Sequence, residues 1–177
     1  MGSVSIAYGV MLENAVVSLE NLYTSKIAET KSDNTRFYIF PNIQAGRPYA
    51  VNALYDDSMN NGLTTRDVIL IQHHLMGINS YESHWKMLQS DVNQDQRVSA
   101  IDIVELGKTR IGQASEKALF PTWRFFDAAL TFNPLDYSNH VEIKDGVHIE
   151  NMTTIKQKDL ISIKLGDVDH SAILSQD

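Results

Sequence analysis

In "SDVNQDQRVSAID", residues 90–102, the residues Asp91, Asn93, Asp95, Ser99 and Asp102 stand at the first, third, fifth, ninth and twelfth places of one segment. A hard cation such as calcium takes roughly six to eight oxygen ligands, and a twelve-residue loop supplies them from those places and from the main-chain carbonyl of the seventh. The seventh here is Arg97, and the eighth, Val98, is the apolar residue such a loop turns inward. Asp91, Asn93, Asp95, the Arg97 carbonyl, Ser99 and Asp102 are therefore a candidate calcium site.

Counting back from Asp67 gives a second candidate in "DDSMNNGLTTRD": Asp56, Ser58, Asn60, the Gly62 carbonyl, Thr64 and Asp67, with Leu63 inward. It offers two carboxylates where the other loop offers three, so it is expected to hold calcium less tightly. The sixth place, where the chain turns sharply, is Asn61 in the first loop and Gln96 in the second. A non-glycine residue held left-handed there costs about 1–2 kcal/mol, and Asn tolerates the conformation better than Gln.

The elements that must position these groups are legible. "LTTRDVILIQHHLMG" places Leu63, Val68, Ile71 and Leu75 on one helical face, with Thr64 as N-cap, Asp67 favoured by the helix dipole and Gly77 as stop. "VSAIDIVELGKTRIG" repeats the grammar with Ser99, Asp102 and Gly112, each at an offset of 35 residues. A Ser or Thr three residues before an Asp is an ordinary helix start. Two copies in register, each with an inward aliphatic and a terminal Gly, point to paired loop–helix units spanning 56–78 and 91–113.

Before them, "VSIAYG", "AVVSLEN", "KIAETKS", "RFYIFPNI" and "PYAVNAL" read as strands of a small β-sandwich over residues 4–54. After them, "WRFFDAALTF" at 123–132 and "LISIKLGDV" at 160–168 read as strands, with a surface loop over about 133–146. Asp167 and Asp169 in "GDVD" look like the start of a third loop that never finishes. Completing the folded module and simple solvation of the tail are both open readings.

Of the 177 residues 43% are hydrophobic, which is enough for a packed core. The formal net charge of −7, with scattered Lys and Arg, argues against nucleic acid or an anionic membrane as partner, and clustered acids favour a cation. With no cysteine, disulfides and thiolate metal sites are excluded. Apolar runs such as "VILI" at 68–71 are too short for membrane insertion. The six histidines show no ligand spacing, and phosphate-loop, zinc-hydrolase and nucleophile-elbow motifs are absent.

"DVNQDQRVSAIDIVELGKTRIG" and "NNGLTTRDVILIQHHLMGI" resemble the paired calcium loop–helix segments of a dockerin, which are similar to half EF-hands in lacking the helix before each loop. "TWRFFDAALTF" and "KLGDVDHS" resemble the longer dockerin-like terminal modules of secreted Bacteroidota proteins. The upstream "NAVVSLEN" and "SDNTRFYIFPNIQAGRPYAV" are similar to a transthyretin-like or carboxypeptidase-regulatory-like sandwich.

The resemblance implies an α+β chain: a sandwich over 4–54, then a dockerin-like domain over 55–177 with a C-terminal β-rich extension. It implies a non-catalytic, secreted or cell-surface module holding calcium, in two ions, and docking a protein partner such as a cohesin-like domain. In that family the partner-facing residues lie at the tenth and eleventh loop places, here Thr65, Arg66, Ala100 and Ile101. The two pairs are chemically unlike, which weighs against interchangeable binding through either helix. The alternative is a calcium-stiffened subunit of an extracellular filament or adhesin stalk, whose partner is a copy of itself.

Overall fold

The structure, a computed structural model, describes residues 1–35, 37–113, 122–133, 137, 143–153 and 156–174. Five strands come first: β1 (Gly2–Ile6), β2 (Val16–Asn21), β3 (Lys26–Lys31), β4 (Phe37–Tyr38) and β5 (Tyr49–Leu54). Helices α1 (Thr65–Leu75), α2 (His84–Ser90) and α3 (Ala100–Arg110) follow, then β6 (Trp123–Asp127), β7 (Val147–Ile149) and β8 (Leu160–Lys164). The fold is mixed α+β, with two four-stranded sheets ordered β4-β1-β8-β6 and β3-β2-β5-β7.

The sheets do not respect the expected division at residues 54/55. β8 runs parallel to β1, with Val4 opposite Leu160, and β7 pairs with β5, with Val51 opposite Val147. The late strands thus complete the sandwich rather than extend the loop–helix part. The described residues between β5 and β6, which include α1, α2 and α3, form an excursion from it. Of the expected 133–146 loop, residues 134–136 and 138–142 lie outside the described residues.

Strand periodicity explains how the two parts are joined. In β6, Trp123 and Phe125 point into the sandwich core with Val4, Val17, Leu19, Val51 and Leu160. Phe126, one residue out of phase, points the other way, onto Met87 and Leu88 of α2 and onto Ile163 of β8. A third cluster holds the helices together: Leu63 and Ile71, Val92 and Leu106, and Leu165 and Val168 from the segment after β8. Leu75, expected on the buried face of α1, is 40% exposed.

Both long helices begin and end as the repeat predicts. Thr64 and Ser99 form capping boxes with Asp67 and Asp102. At the other end Gly77 and Gly112 are left-handed, at φ +69° and +70°. The Gly77 and Ile78 amides reach the His74 and His73 carbonyls, and the Gly112 and Gln113 amides reach those of Thr109 and Lys108.

Phe126 is fully buried where the sandwich meets α2. Phe126→Ala is expected to lower stability by about 3–5 kcal/mol. Because the site belongs to both parts, tryptophan fluorescence and far-ultraviolet circular dichroism should report one shared, shifted urea transition. Two separated transitions would show that the sandwich and the helices unfold independently.

Candidate metal centre

The 91–102 loop is tied together by hydrogen bonds among the residues its spacing singled out, though the ligand atoms of Asp91, Asp95 and Asp102 do not all come within 4.8 Å of one another. Asp91, which closes α2, is fully buried, and its two carboxylate oxygens accept from the Asp95 and Gln96 amides at 3.0 and 2.9 Å. Asp102, also fully buried, accepts from the Asn93 amide at 3.2 Å and from the Ser99 amide at 2.7 Å. Asn93 and Asp95 join the same network, since the Asn93 amide nitrogen donates to Asp95 at 3.0 Å. The Arg97 amide donates to Asp95 at 3.0 Å. Gln96 has φ +67°, so the left-handed turn expected at the sixth place is present on a non-glycine residue. Val98 lies against the helix cluster, as an inward eighth residue should.

One partner was not visible in the spacing. The Tyr137 hydroxyl, from the stretch between β6 and β7, donates to Asp91 at 2.7 Å and caps the first ligand position from outside the loop. Burial, with the charges of Asp102 and Asp95, pushes the Asp91 carboxyl up to about 6. Asp102 is raised for the same first reason.

The first loop is arranged differently from its sequence reading. Asp56, Ser58 and Asn60 are exposed. The inward carboxylate is Asp57, which accepts from the Lys164 ammonium at 2.7 Å, from the Trp123 indole at 3.2 Å and from the Asn61 side chain at 2.9 and 3.0 Å. Lys164 also donates to the Ser58 carbonyl at 2.9 Å and lies 5.4 Å from the Trp123 ring centre. Burial works to raise the Asp57 carboxyl, but the hydrogen bonds from Lys164 and Asn61 outweigh it and hold the group below its ordinary value. The first half of this loop is thus tied to β8 by a protein cation. The left-handed residue is Gly62, at φ +77°, and not Asn61.

Asp67, the last place of that loop, is gathered with the chain's other end. Fully buried, it accepts from Thr64 at 2.7 Å and from the amides of Val168 and Asp169 at 2.8 and 2.9 Å. Among the described residues, Asp67, Asp167 and Asp169 are the set of carboxylates whose ligand atoms all lie within 4.8 Å of one another, and they could hold a metal ion. Burial, with the charges of Asp67 and Asp169, pushes Asp167 up to about 6. The sequence signal was "DVDHS", which echoes "DVNQD" of the other loop.

The donor sets are all oxygen, which suits a hard cation such as calcium rather than a soft metal. Thr65, Arg66, Ala100 and Ile101 are exposed at the starts of α1 and α3, beside the two carboxylate groups. Comparison of the chain with protein-family models, curated proteins and solved structures returns no match. Among the described residues no helix is long and apolar enough to cross a membrane.

Asp91 and Asp167 set the response to pH when no cation is bound. Their folded-state values, near 6, lie above the ordinary carboxylate value of 3.8, so the folded chain holds more protons than the unfolded one between those limits. His170, which burial lowers to about 4, opposes them over the same range, so stability in chelator should fall as pH rises through that window by the excess of the two carboxylates over the one imidazole. Saturating calcium favours the ionised carboxylates and should remove the fall. Melting temperatures from pH 4 to 7.5, with calcium and with chelator, check this. A chelated protein that gains stability across the window contradicts it.

Proposed function

We propose that the chain is a non-catalytic extracellular calcium-binding attachment module, resembling a dockerin, which docks a protein partner such as a cohesin-like domain. The observation that carries this reading is the 91–102 loop: oxygen groups at the six ligand places, two of them buried carboxylates, sit immediately before an exposed helix start. A cation bound there fixes the N-terminus of α3 and with it the direction in which Ala100 and Ile101 face. Ile101 is 56% exposed, and Val104 and Ile111 continue its apolar line along α3 at 52% and 67%. Such a line suits an interface whose core is apolar and whose rim, here Lys108 and Arg110, is charged.

A second copy of the chain is the alternative partner. α1 also exposes Ile69, and Met76 and Ile78 follow at its end, so apolar surface is not confined to one helix. In that reading calcium stiffens a subunit of a filament or stalk.

Binding of recombinant cohesin-like domains, measured by calorimetry with calcium and with chelator, separates the two. Docking predicts calcium-dependent binding by a chain that sediments as a monomer. Ile101→Asp should weaken it by about 2 kcal/mol or more, some 30-fold, while leaving calcium affinity unchanged. Calcium-dependent self-association that Ile101→Asp abolishes would favour the filament. A chain that binds no calcium would end both readings.

A further inference from the structure

We propose that residues 167–172 and 62–67, more than ninety positions apart in sequence, together form one divalent-cation site, with Asp167, Asp169 and Ser171 on one side and the Gly62 carbonyl, Thr64 and Asp67 on the other. The dockerin-like first loop, by contrast, would be contiguous from Asp56. From the proposed function this inference takes only the nature of the cation, and its geometry stands apart from the 91–102 loop.

The observation that points to a ligand is Asp169. Its side chain is only 9% exposed, and its Oδ1 atom is shielded from solvent without any hydrogen-bond partner, inside the set of three carboxylates. A buried carboxylate oxygen with no donor is costly unless a cation satisfies it. The nearest positive charge, Arg66, stands 3.8 Å from the other oxygen on a side chain that is 76% exposed, and Lys164 is already committed to Asp57.

The arrangement matches the 91–102 loop place by place. Asp167 accepts from the Ser171 amide at 2.9 Å and the Ala172 amide at 3.1 Å, as Asp91 does from the amides at its own fifth and sixth places. Val168 and Val92, both second, are fully buried. His170 and Gln94, both fourth, are left-handed at φ +64° and +59°. The Asp169 amide reaches Asp67 at 2.9 Å, as the Asn93 amide reaches Asp102 at 3.2 Å. Where a contiguous loop has a peptide bond between its sixth and seventh places, this one has a packed contact. A Cβ added to Gly62 would lie 2.6 Å from the Ala172 nitrogen, and the Ser171 hydroxyl donates to the Gly62 carbonyl at 2.9 Å.

The two strands of the site are aligned by other groups. Asn61 both donates to the Ile173 carbonyl at 2.7 Å and accepts from its amide at 3.0 Å, so its side chain serves as a short piece of strand. The fully buried Gln89 donates to the Asp167 carbonyl at 2.7 Å, and Tyr8 stacks on His170 with ring centres 3.2 Å apart. The C-terminal segment is thus clasped by its cation to the start of α1.

The test reads the segment itself. In the wild-type chain, hydrogen exchange of the 166–173 amides should slow on adding calcium, by about 100-fold at 100 times the dissociation constant. Calorimetric titration with calcium chloride should show two steps in the wild type. Asp169→Ala should remove one step and make tail exchange insensitive to calcium. Asp102→Asn should remove the other step and leave the tail response intact. Wild-type tail exchange that ignores calcium overturns the proposal, and this measurement stands even if Asp169→Ala misfolds. Tail protection that rises on acidification but not with calcium also overturns it, assigning the carboxylates a shared proton instead. A single step that Asp102→Asn removes and Asp169→Ala keeps would defeat the composite site while sparing the 91–102 loop. No step at all would defeat both.

Discussion

Carboxylates removed from water without a charge to balance them are the constraint around which this fold is arranged. Asp67, Asp91 and Asp102 are fully buried and Asp167 nearly so. At an effective dielectric of about 20, two unit charges separated by the 4.8 Å that bounds the Asp67, Asp167 and Asp169 group repel by about 3 kcal/mol. The chain offsets this cost in two ways. Asp57 is answered by the Lys164 ammonium, itself 1% exposed and held by a second oxygen and an aromatic face. The other groups are answered by backbone amides, and by Tyr137 at Asp91. Amides supply partial charges only, which is why burial still raises Asp67, Asp91, Asp102 and Asp167 above their ordinary values. Among the described residues, the Asp67, Asp167 and Asp169 set could hold a metal ion that would balance their charge.

The topology follows from the same need. The segment after β8 inserts Leu165 and Val168 between α1 and α3, so the hydrophobic seal of the helix pair is made by the chain's far end. Gly166 permits the approach, for a Cβ there would stand 2.7 Å from Leu106 Cδ1 and 3.0 Å from Leu63 Cδ2. That segment is delivered by β8, whose place between β1 and β6 fixes its height over the sheet. The sandwich therefore serves as the ruler that sets Asp167 and Asp169 against Asp67, and Phe126 and Ile163 register α2 on the sheet's other face.

What the sequence disclosed, and what it hid, divides by range. The capping boxes at Thr64 and Ser99 and the glycine stops are short-range patterns, and the structure realises each of them. α2 escaped because it is seven residues long and Ser83 makes no side-chain cap. β7 escaped because three residues cannot establish a period. The parallel pairing of β1 with β8 joins residues about 156 apart in sequence, for which no local pattern exists. At the start of the first loop nothing in "DDS" distinguishes Asp56 from Asp57, and only the fold shows that Lys164 lies beneath the second and takes it out of any ligand set. The echo of "DVNQD" in "DVDHS" was readable, but what completes the second copy stands at the other end of the excursion.

The two candidate sites divide strain and entropy differently. The contiguous loop must turn through Gln96 in the left-handed region, at a cost of about 1–2 kcal/mol, because its sixth and seventh places are joined by a peptide bond. The proposed composite site has no such bond: Ala172 is free of positive φ, and Gly62 takes φ +77° at no side-chain cost. In exchange it exists only when the sandwich has brought the chain's two regions together, so the ordering of every residue between them is already charged to folding. Cation binding at 91–102, as proposed, would act locally, on the start of α3. Cation binding at the composite site would act on the fold as a whole, since the groups it joins are neighbours in the native state and strangers in the unfolded one.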